Sequence, residues 1–325
     1  MTRFSAGAPR LLILALAAVG ALAACSGGNL VDNASSDAHG VGSGPDPSSL
    51  AALRGTVQVI SMANRNACLR PATGALAAAQ DVVGVGPCSG NGNDQWRLNA
   101  DGTFGFGSGL CLGPLKGELE VGGAVAVVPC ASEATQVLTL SGGRLLLGGE
   151  GGTAVAVTVG DGAADASGFV AATLAQPEDG AGVPTQQWQV GLAQAGPSGD
   201  AAVVVTGFPI TLMSAPGFCL TGRNTTVGVV ACNGSASQTW IINETGGLQL
   251  GAYCLSAMTP GTISQGTAAL FNLCRANDPG QTWQISRGLI SLNDWRLSPT
   301  TMPPPAASYT PTALVTSPVG WLVGG

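Results

Sequence analysis

Residues that could perform acid–base or nucleophilic chemistry are few in this sequence. His39 is the only histidine and stands in a Gly/Ser/Asp/Pro-rich stretch, which excludes Ser-His-Asp and Cys-His arrangements inside a folded domain. Sequence alone leaves open a carboxylate pair for glycoside hydrolysis, but acidic residues in loops mostly form solvated turns. We therefore predict a protein that is not an enzyme and needs no cofactor. The carboxylates are scattered along the chain, at Asp81, Asp101, Glu118, Glu120, Asp161, Glu178, Asp179, Asp278 and Asp294.

Cysteines are the second chemically active group. Eight of the nine fall into close couples along the chain, and we predict local disulfides formed in an oxidising compartment, although sequence order alone does not decide the pairing. Each loop of this size would add about 3 kcal/mol of stability. A metal site is disfavoured because no C-x-x-C motif and no histidine lies near them. The couples are Cys68 with Cys88, Cys111 with Cys130, Cys219 with Cys232, and Cys254 with Cys274.

The ninth cysteine, Cys25, belongs to an N-terminal export signal. Residues 1–24 have two arginines, a short apolar run and then small residues, which is the order of a secretory signal peptide. The sequence Leu-Ala-Ala-Cys at 22–25 resembles the lipobox of bacterial lipoproteins, so we predict lipidation of Cys25; a plain cleaved signal peptide is the alternative. Residues 25–55 read as a flexible tether. The protein is then exported and lipid-anchored at the bacterial cell envelope or surface.

Composition points to a β protein that does not bind nucleic acid. Charged residues make up 9% of the chain, the formal net charge is −6, and Lys116 is the single lysine, so no basic patch exists. The chain has 50 Gly and 20 Pro between short Val, Ala and Leu runs. Short apolar runs bounded by turn residues favour many short strands, and no amphipathic helix of convincing length is present.

A repeat organises these runs. Gln-x-Trp or an altered form of it recurs roughly every 40 to 50 residues, and most repeats also contain Cys-Leu, a turn, a Val-rich strand and a second cysteine. We predict six units in two groups of three, forming domains at 56–192 and 205–325 with a linker at 193–204. The repeat anchors are Trp96, Leu138 and Trp188 in the first group, and Trp240, Trp283 and Trp321 in the second.

This pattern resembles the ricin-B-type (QxW) β-trefoil lectins, over about residues 56 to 325. The resemblance implies an all-β fold of two tandem β-trefoil domains, stapled by the disulfides. It also implies that the tryptophans are structural: three units bury one shared core, and the glutamine satisfies main-chain groups near a turn. QxW thus identifies the fold and does not prove a sugar site.

Sugar-binding residues carry over poorly from the family. The resemblance places an Asp after Cys-Leu, an aromatic ring near the second cysteine and an Asn before QxW. Arg70, Gly113, Thr221 and Ser256 stand at the first of these positions, and Gly86, Val128, Val230 and Asn272 at the second. Fragments remain in three units. We predict sugar-binding candidates at Asp294, Tyr309, Trp295 and Asn293, with weaker candidates at Asn93, Asp94, Asn277 and Asp278, the last two together with the ring of Phe271.

Each candidate has a plainer interpretation. Asn93 and Asp94 could be turn residues, while Trp295 and Tyr309 could cover the core of the last unit. We predict a non-catalytic, lectin-like surface lipoprotein whose partner is carbohydrate, either a galactose-type sugar or a cell-wall or extracellular polysaccharide, and which meets the membrane through its lipid anchor. The alternative is a structural or protein-interaction trefoil scaffold whose sugar sites have eroded.

Overall fold

The computed structural model describes residues 56–89, 92–148, 153–178, 183–194, 204–257, 263–305, 308–317 and 319–323. The predicted signal peptide, the predicted lipidation site Cys25, the tether and most of the predicted linker lie outside these residues. Contacts gather Pro45–Gly325 into one compact unit. The domain boundaries at 192 and 205 stay predictions.

Short strands make up the described part of the chain. No helix within it is long and apolar enough to cross a bilayer; the helical segments there are 3₁₀ turns, at Gly74–Leu76, Ala134–Gln136, Pro184–Gln186 and Ala236–Gln238. The strands of the first half are β1 (Gln58–Ser61), β2 (Ala67–Pro71), β3 (Asp81–Pro87), β4 (Trp96–Leu98), β5 (Phe104–Phe106), β6 (Leu110–Pro114), β7 (Val125–Pro129), β8 (Leu138–Ser141), β9 (Arg144–Leu147), β10 (Val155–Val159), β11 (Val170–Ala175) and β12 (Trp188–Gln194).

The second half repeats this series after one additional short strand. That strand, β13 (Val204–Thr206), pairs with the end of β12. The strands that follow are β14 (Ile210–Leu212), β15 (Ala215–Arg223), β16 (Thr226–Ala231), β17 (Ile241–Ile242), β18 (Leu248–Leu250), β19 (Tyr253–Ala257), β20 (Ala269–Leu273), β21 (Gln284–Ser286), β22 (Leu289–Leu292), β23 (Trp295–Pro299), β24 (Thr310–Val315) and β25 (Trp321–Val323).

Strand pairing in the first half closes a ring with threefold repetition. The hairpins β2–β3, β6–β7 and β10–β11 pair with one another in a cycle, through β3–β7, β3–β11 and a bridge between Ala124 and Thr173. Beneath them, β1 closes onto β12, while β4 pairs with β5 and β8 with β9. Three four-strand units are therefore joined into one barrel with a cap of three hairpins.

The second half has the same connectivity. Hairpins β15–β16, β19–β20 and β23–β24 form the cap and meet through β16–β20, β16–β24 and a bridge between Ala268 and Ala313. Strand β14 closes onto β25 below them. Two such closed sets in one chain are two tandem β-trefoils, as the repeat predicts.

Large apolar side chains from every unit meet in the trefoil cores. Trp96, Trp188, Trp240, Trp283 and Trp321 are all 0–1% exposed, and Leu138 is equally buried at the sixth anchor position. Trp96 stacks on Phe104 with ring centroids 5.0 Å apart. A unit of four short strands could not bury rings of this size alone, so the closed set of three is the smallest stable structure.

Four disulfides staple the cap hairpins, with the local pairing that the sequence predicts. They join Cys68 to Cys88, Cys111 to Cys130, Cys219 to Cys232, and Cys254 to Cys274, with Cα atoms 4.9–5.0 Å apart. In each case the second cysteine lies two residues beyond the residue that faces the first across the hairpin, as Cys88 lies beyond Gly86. The third and sixth units have no such staple.

The two trefoils contact each other through their barrels. Strand β8 pairs with β21 and β12 pairs with β17, so the sheets of the two barrels are continuous. Between these pairs, the turn at Gly142–Gly143 lies against Glu244 and Gly246 of the second trefoil. A Cβ at Gly143 would collide with the Glu244 carbonyl, and one at Gly246 would lie 2.7 Å from the Gly142 nitrogen. Glycine at both turns allows the two backbones to touch.

Candidate functional site

The recurring tryptophans tie the barrel to the cap in five of the six units. Each ring Nε1–H donates to a main-chain oxygen in the first strand of the cap hairpin, at 2.8–3.1 Å. These bonds satisfy the only polar atom of a fully buried ring, as a buried Trp requires. The accepting residues are Leu69, Val157, Leu220, Leu255 and Leu297, so these five positions are equivalent.

The glutamines of the motif hold the turn that follows each cap hairpin. In the second unit, Gln136 Nε2 donates to the Pro129 oxygen at 3.1 Å, and its Oε1 accepts from the Ala131 nitrogen at 2.8 Å. Gln186, Gln238 and Gln281 make the same pair of bonds in their own units. All four are buried. The glutamine and tryptophan of the motif are thus engaged in structural bonds.

Asp94 has this structural role in the first unit. It lies two residues before Trp96, where four of the other five units have Gln, and is fully buried. Its Oδ2 accepts from the Ser89 nitrogen at 2.6 Å, the counterpart of the Ala131 bond, while its Oδ1 is buried without a hydrogen bond. The structure therefore gives Asp94 the turn role that the sequence offers as its plainer interpretation, with the carboxylate shielded from solvent.

Asp94 also belongs to the one group of possible metal ligands found in the described residues. Ligand atoms of Cys68, Cys88 and Asp94 lie within 4.8 Å of one another. The two sulfurs form a disulfide, however, and a disulfide supplies no thiolate to a metal.

Asn93 is engaged in a local contact. Its Oδ1 accepts from the Ala75 nitrogen at 2.8 Å and fixes the 3₁₀ turn between β2 and β3. Arg70 from the same hairpin lies over Gly86, 3.2 Å from the position of a Cβ there, and its guanidinium donates to the oxygens of Pro71 and Ala72. The Arg70 side chain therefore occupies the space over Gly86 in the first unit.

The acceptor position of the fourth unit is likewise occupied by internal contacts. Thr221 is buried, its hydroxyl donates to the Cys219 oxygen at 3.0 Å, and it accepts from Gln238 at 3.2 Å. In the second unit, Gly113 has no side chain and is in contact with Val128 and Gln136. Neither position presents a polar group to solvent.

The sixth unit has a different register from the one predicted. Asn293 and Asp294 are the exposed two-residue turn between β22 and β23, because Leu292 pairs with Trp295. Leu297 accepts the Trp321 ring bond and is therefore the true counterpart of the Leu in Cys-Leu. Ser298, not Asp294, occupies the acceptor position, and its hydroxyl donates to the Pro299 oxygen. The equivalence that made Asp294 the leading candidate is wrong.

Trp295 and Tyr309 are not brought together either. Trp295 is half-buried against the core at the start of β23, whereas Tyr309 precedes β24, beyond the Pro299–Thr312 pair at the other end of the hairpin. At about 3.3 Å per residue, the four steps from Trp295 to Pro299 alone separate the two ends by about 13 Å. The structure therefore does not form the predicted pocket of Asp294, Trp295 and Tyr309.

Tyr309 contacts the fourth unit instead. Its hydroxyl lies 2.9 Å from the Thr226 hydroxyl, its ring covers Gly228, and the Arg223 guanidinium lies 5.6 Å from the ring centroid. Burial raises the pKa of the Tyr309 hydroxyl, against the opposing effects of the Thr226 hydrogen bond and the Arg223 charge. The residue joins two cap hairpins of the second trefoil.

The fifth unit has an open cleft beside its cap hairpin. Its volume is about 390 Å³, and it lies on the β19–β20 hairpin against Thr225 of the fourth unit. One wall is apolar: Tyr253 faces Leu273 across the hairpin, the two are 43% and 59% exposed, and the Tyr253 and Phe271 ring centroids are 5.1 Å apart. The polar lining consists of Ser256, Asn272, Arg275, Asp278 and Gln281.

Of the three predicted residues in this unit, two line the cleft. They are Phe271 and Asp278, whose Oδ1 accepts from the Gly280 nitrogen at 2.9 Å. Asn277, in the left-handed conformation at φ 59°, lines a smaller space of about 120 Å³ beside Arg144 and Thr245, between the trefoils. Sequence reasoning missed Tyr253 and Arg275; their only signal was adjacency to the two cysteines of the unit.

Comparison with known proteins gives likenesses of fold only. No protein-family model matches the chain, and no curated protein does. Among solved structures, the agglutinin from Abrus precatorius is 16% identical, with 83% of this chain and 97% of that chain covered and a TM-score of 0.35. The β-trefoil lectin of the Vibrio vulnificus hemolysin/cytolysin, with N-acetyl-D-lactosamine bound, is 18% identical over 44% of this chain and 97% of that chain, also at 0.35.

A non-toxic homologue of type II RIPs from Momordica charantia, in complex with α-methyl-D-galactoside, is 17% identical over 83% of this chain and 97% of that chain, at a TM-score of 0.34. Scores of this size carry no argument about ligands. The β-trefoil fold is assigned from the chain's own strand pairings. The chain is a tandem β-trefoil.

Proposed function

We propose that this protein is a non-catalytic, lectin-like carbohydrate-binding protein whose binding site is the cleft of the fifth unit. The observation that supports this most is the pairing of the partly exposed Tyr253 ring, which packs against the buried Phe271, with the polar residues Asn272, Arg275 and Asp278 in one open cleft. An aromatic ring packs against the apolar C–H face of a sugar, while nearby polar groups bond its hydroxyls.

The experiment is a glycan-array screen of the chain without its predicted leader and Cys25, produced with its disulfides formed. Methyl α-galactoside and N-acetyllactosamine are the first soluble competitors. We expect binding that Tyr253→Ala abolishes, since that side chain is partly exposed and its loss leaves the core intact. Asp294→Ala is the matched control, because that turn lies outside the cleft. Binding lost in Asp294→Ala but kept in Tyr253→Ala would reject the fifth-unit cleft.

A second candidate function has its own support. In the first, second and fourth units the acceptor positions are occupied by Arg70, Gly113 and Thr221 in the ways described above, which favours a structural or protein-interaction scaffold with eroded sugar sites. A silent array from a sample that unfolds cooperatively would favour this scaffold function, and affinity capture of a protein partner would be the next measurement.

We also propose export and lipid anchoring through Cys25, on the strength of the sequence of residues 1–25 alone. Two acyl chains or more would be needed for a stable anchor. Mass spectrometry of the protein expressed in a bacterium should find a lipidated Cys25 at the N-terminus. A Cys25→Ser variant recovered from the membrane fraction in the same amount would contradict the anchor.

A further inference from the structure

The fifth-unit cleft has fewer hydrogen-bond acceptors than a pocket that binds a neutral sugar. At the position where the family has Asp, this unit has Ser256, which is 5% exposed and donates its hydroxyl to the Ala257 oxygen at 3.2 Å. The nearest carboxylate, Asp278, already accepts from the Gly280 nitrogen. The carboxylate that would receive vicinal hydroxyls in a lectin pocket is therefore missing from the acceptor position.

A strong donor, in contrast, is present. Arg275 lines the cleft with an exposed side chain, and its main-chain nitrogen is fixed by Gln281 Oε1 at 2.8 Å. Gln281 is buried and also bonds the Leu273 oxygen, so this arginine is attached to the rigid Gln-x-Trp element. Within the described residues the one ion pair joins Arg65 to Glu244, so no described carboxylate pairs with the Arg275 guanidinium.

From this balance of donors and acceptors we infer that the cleft selects sugars that carry an anionic group, a carboxylate or a sulfate, and that Arg275 determines this specificity. The inference rests on the proposed carbohydrate function and adds the substrate class. Guanidinium binds carboxylate and sulfate through two parallel N–H bonds, which are stronger than bonds between neutral groups. The exposed Tyr253 ring then packs against the ring of the same sugar.

The charge of the whole protein makes this inference testable. The formal net charge is −6, so the protein's overall field repels an anionic sugar instead of attracting it non-specifically. Preference for an acidic sugar over its neutral counterpart must then come from a local group.

Saturation-transfer NMR on the leaderless chain with disulfides formed can test this with pairs of methyl glycosides that differ only at C6: galactoside against galacturonide and glucoside against glucuronide. Methyl 6-sulfo-galactoside is a third anionic probe that separates sulfate from carboxylate. We expect the anionic member of a pair to bind about tenfold more tightly. The preference should fall as NaCl approaches about 1 M, because the cleft is open to solvent.

Variants distinguish the preference for anionic sugars from the proposed carbohydrate-binding function on which it rests. Arg275→Gln should remove the preference while neutral binding persists, Arg275→Lys should retain part of it, and Arg65→Gln, which removes the same charge outside the cleft, should leave it unchanged. Neutral and anionic members binding equally, or a preference that survives Arg275→Gln, would overturn the inference and leave the proposed function standing. No binding of any glycoside, together with a silent array, would overturn both.

Discussion

Asp94 and the glutamines that replace it in other units show how one side chain can decide whether a turn is fully bonded. The carboxylate accepts one hydrogen bond from Ser89, as the glutamine oxygens do in their units, but it has no N–H to donate. The counterpart of the accepting oxygen of Pro129 is that of Pro87, one residue before the second cysteine. The first unit therefore lacks a bond that four other units possess.

We expect Asp94→Gln to stabilise the protein by about 1–2 kcal/mol, because it supplies the missing donor and removes a buried unpaired oxygen. Urea unfolding under non-reducing conditions measures the change. Gln238→Asp is the reciprocal control and should destabilise by a similar amount. An Asp94→Gln variant less stable than the parent would show that the turns are not equivalent.

Tyr309 should make the stability of the folded protein depend on pH in the alkaline range. Its pKa lies above the ordinary value of about 10, so the folded state holds the phenolic proton more tightly than the unfolded chain. The stability linked to this proton is intact below pH 10 and is lost as the pH rises through the folded-state pKa. Absorbance at 295 nm should show a late tyrosinate step. Tyr309→Phe should remove that step. If the late step persisted in this variant, it would not belong to Tyr309 but to Tyr253, the only other tyrosine.

At the scale of elements, the hairpin staples can be extended to units that lack them. In the third unit, Ala156 faces Ala175 and Pro177 lies two residues beyond, as each second cysteine does in the stapled hairpins. Gln186 bonds Gln176 and Glu178 on either side of Pro177, which independently places Pro177 at the cysteine position.

We therefore expect Ala156→Cys with Pro177→Cys to form a fifth disulfide and to add about 3 kcal/mol of stability. Free-thiol titration and thermal unfolding check the two parts of the prediction. The control is Ala156→Ser with Pro177→Ser, which changes the same positions without a cross-link. Two free thiols that persist under oxidising conditions would contradict the assigned equivalence.

The elements also show where sequence reasoning succeeds and fails. Four cap hairpins could be predicted from the sequence because the cysteines fix the register of each. The Trp at the end of a unit marks where that unit ends. The sixth unit has no cysteine to fix its register. Leu292 and Leu297 both lie in short apolar stretches, so periodicity alone allows either of them to be the counterpart of the leucine in Cys-Leu. Side-chain positions such as those of Arg70 and Tyr253 depend on packing between hairpins, which spacing does not encode.

At the scale of the whole molecule, we expect the glycine contact between the trefoils to couple their stabilities. Gly143 has φ +74° and its missing Cβ faces the Glu244 carbonyl. We expect Gly143→Ala to force the barrels apart and to separate one calorimetric transition into two. Gly107→Ala is the matched control, since Gly107 has φ +56° with open space around it and shares only the backbone strain. A single transition in Gly143→Ala would mean that the sheet pairings alone join the trefoils.

The placement of the staples also bears on how such a chain can be made. Every disulfide closes within its own repeat, over 13 to 20 residues, and none crosses from one repeat or one trefoil to another. On a chain that emerges N-terminus first, each cysteine meets its partner before the next couple has appeared. On the proposed export route, disulfide formation can thus keep pace with translocation, and each bond is correct when it forms, without later reshuffling.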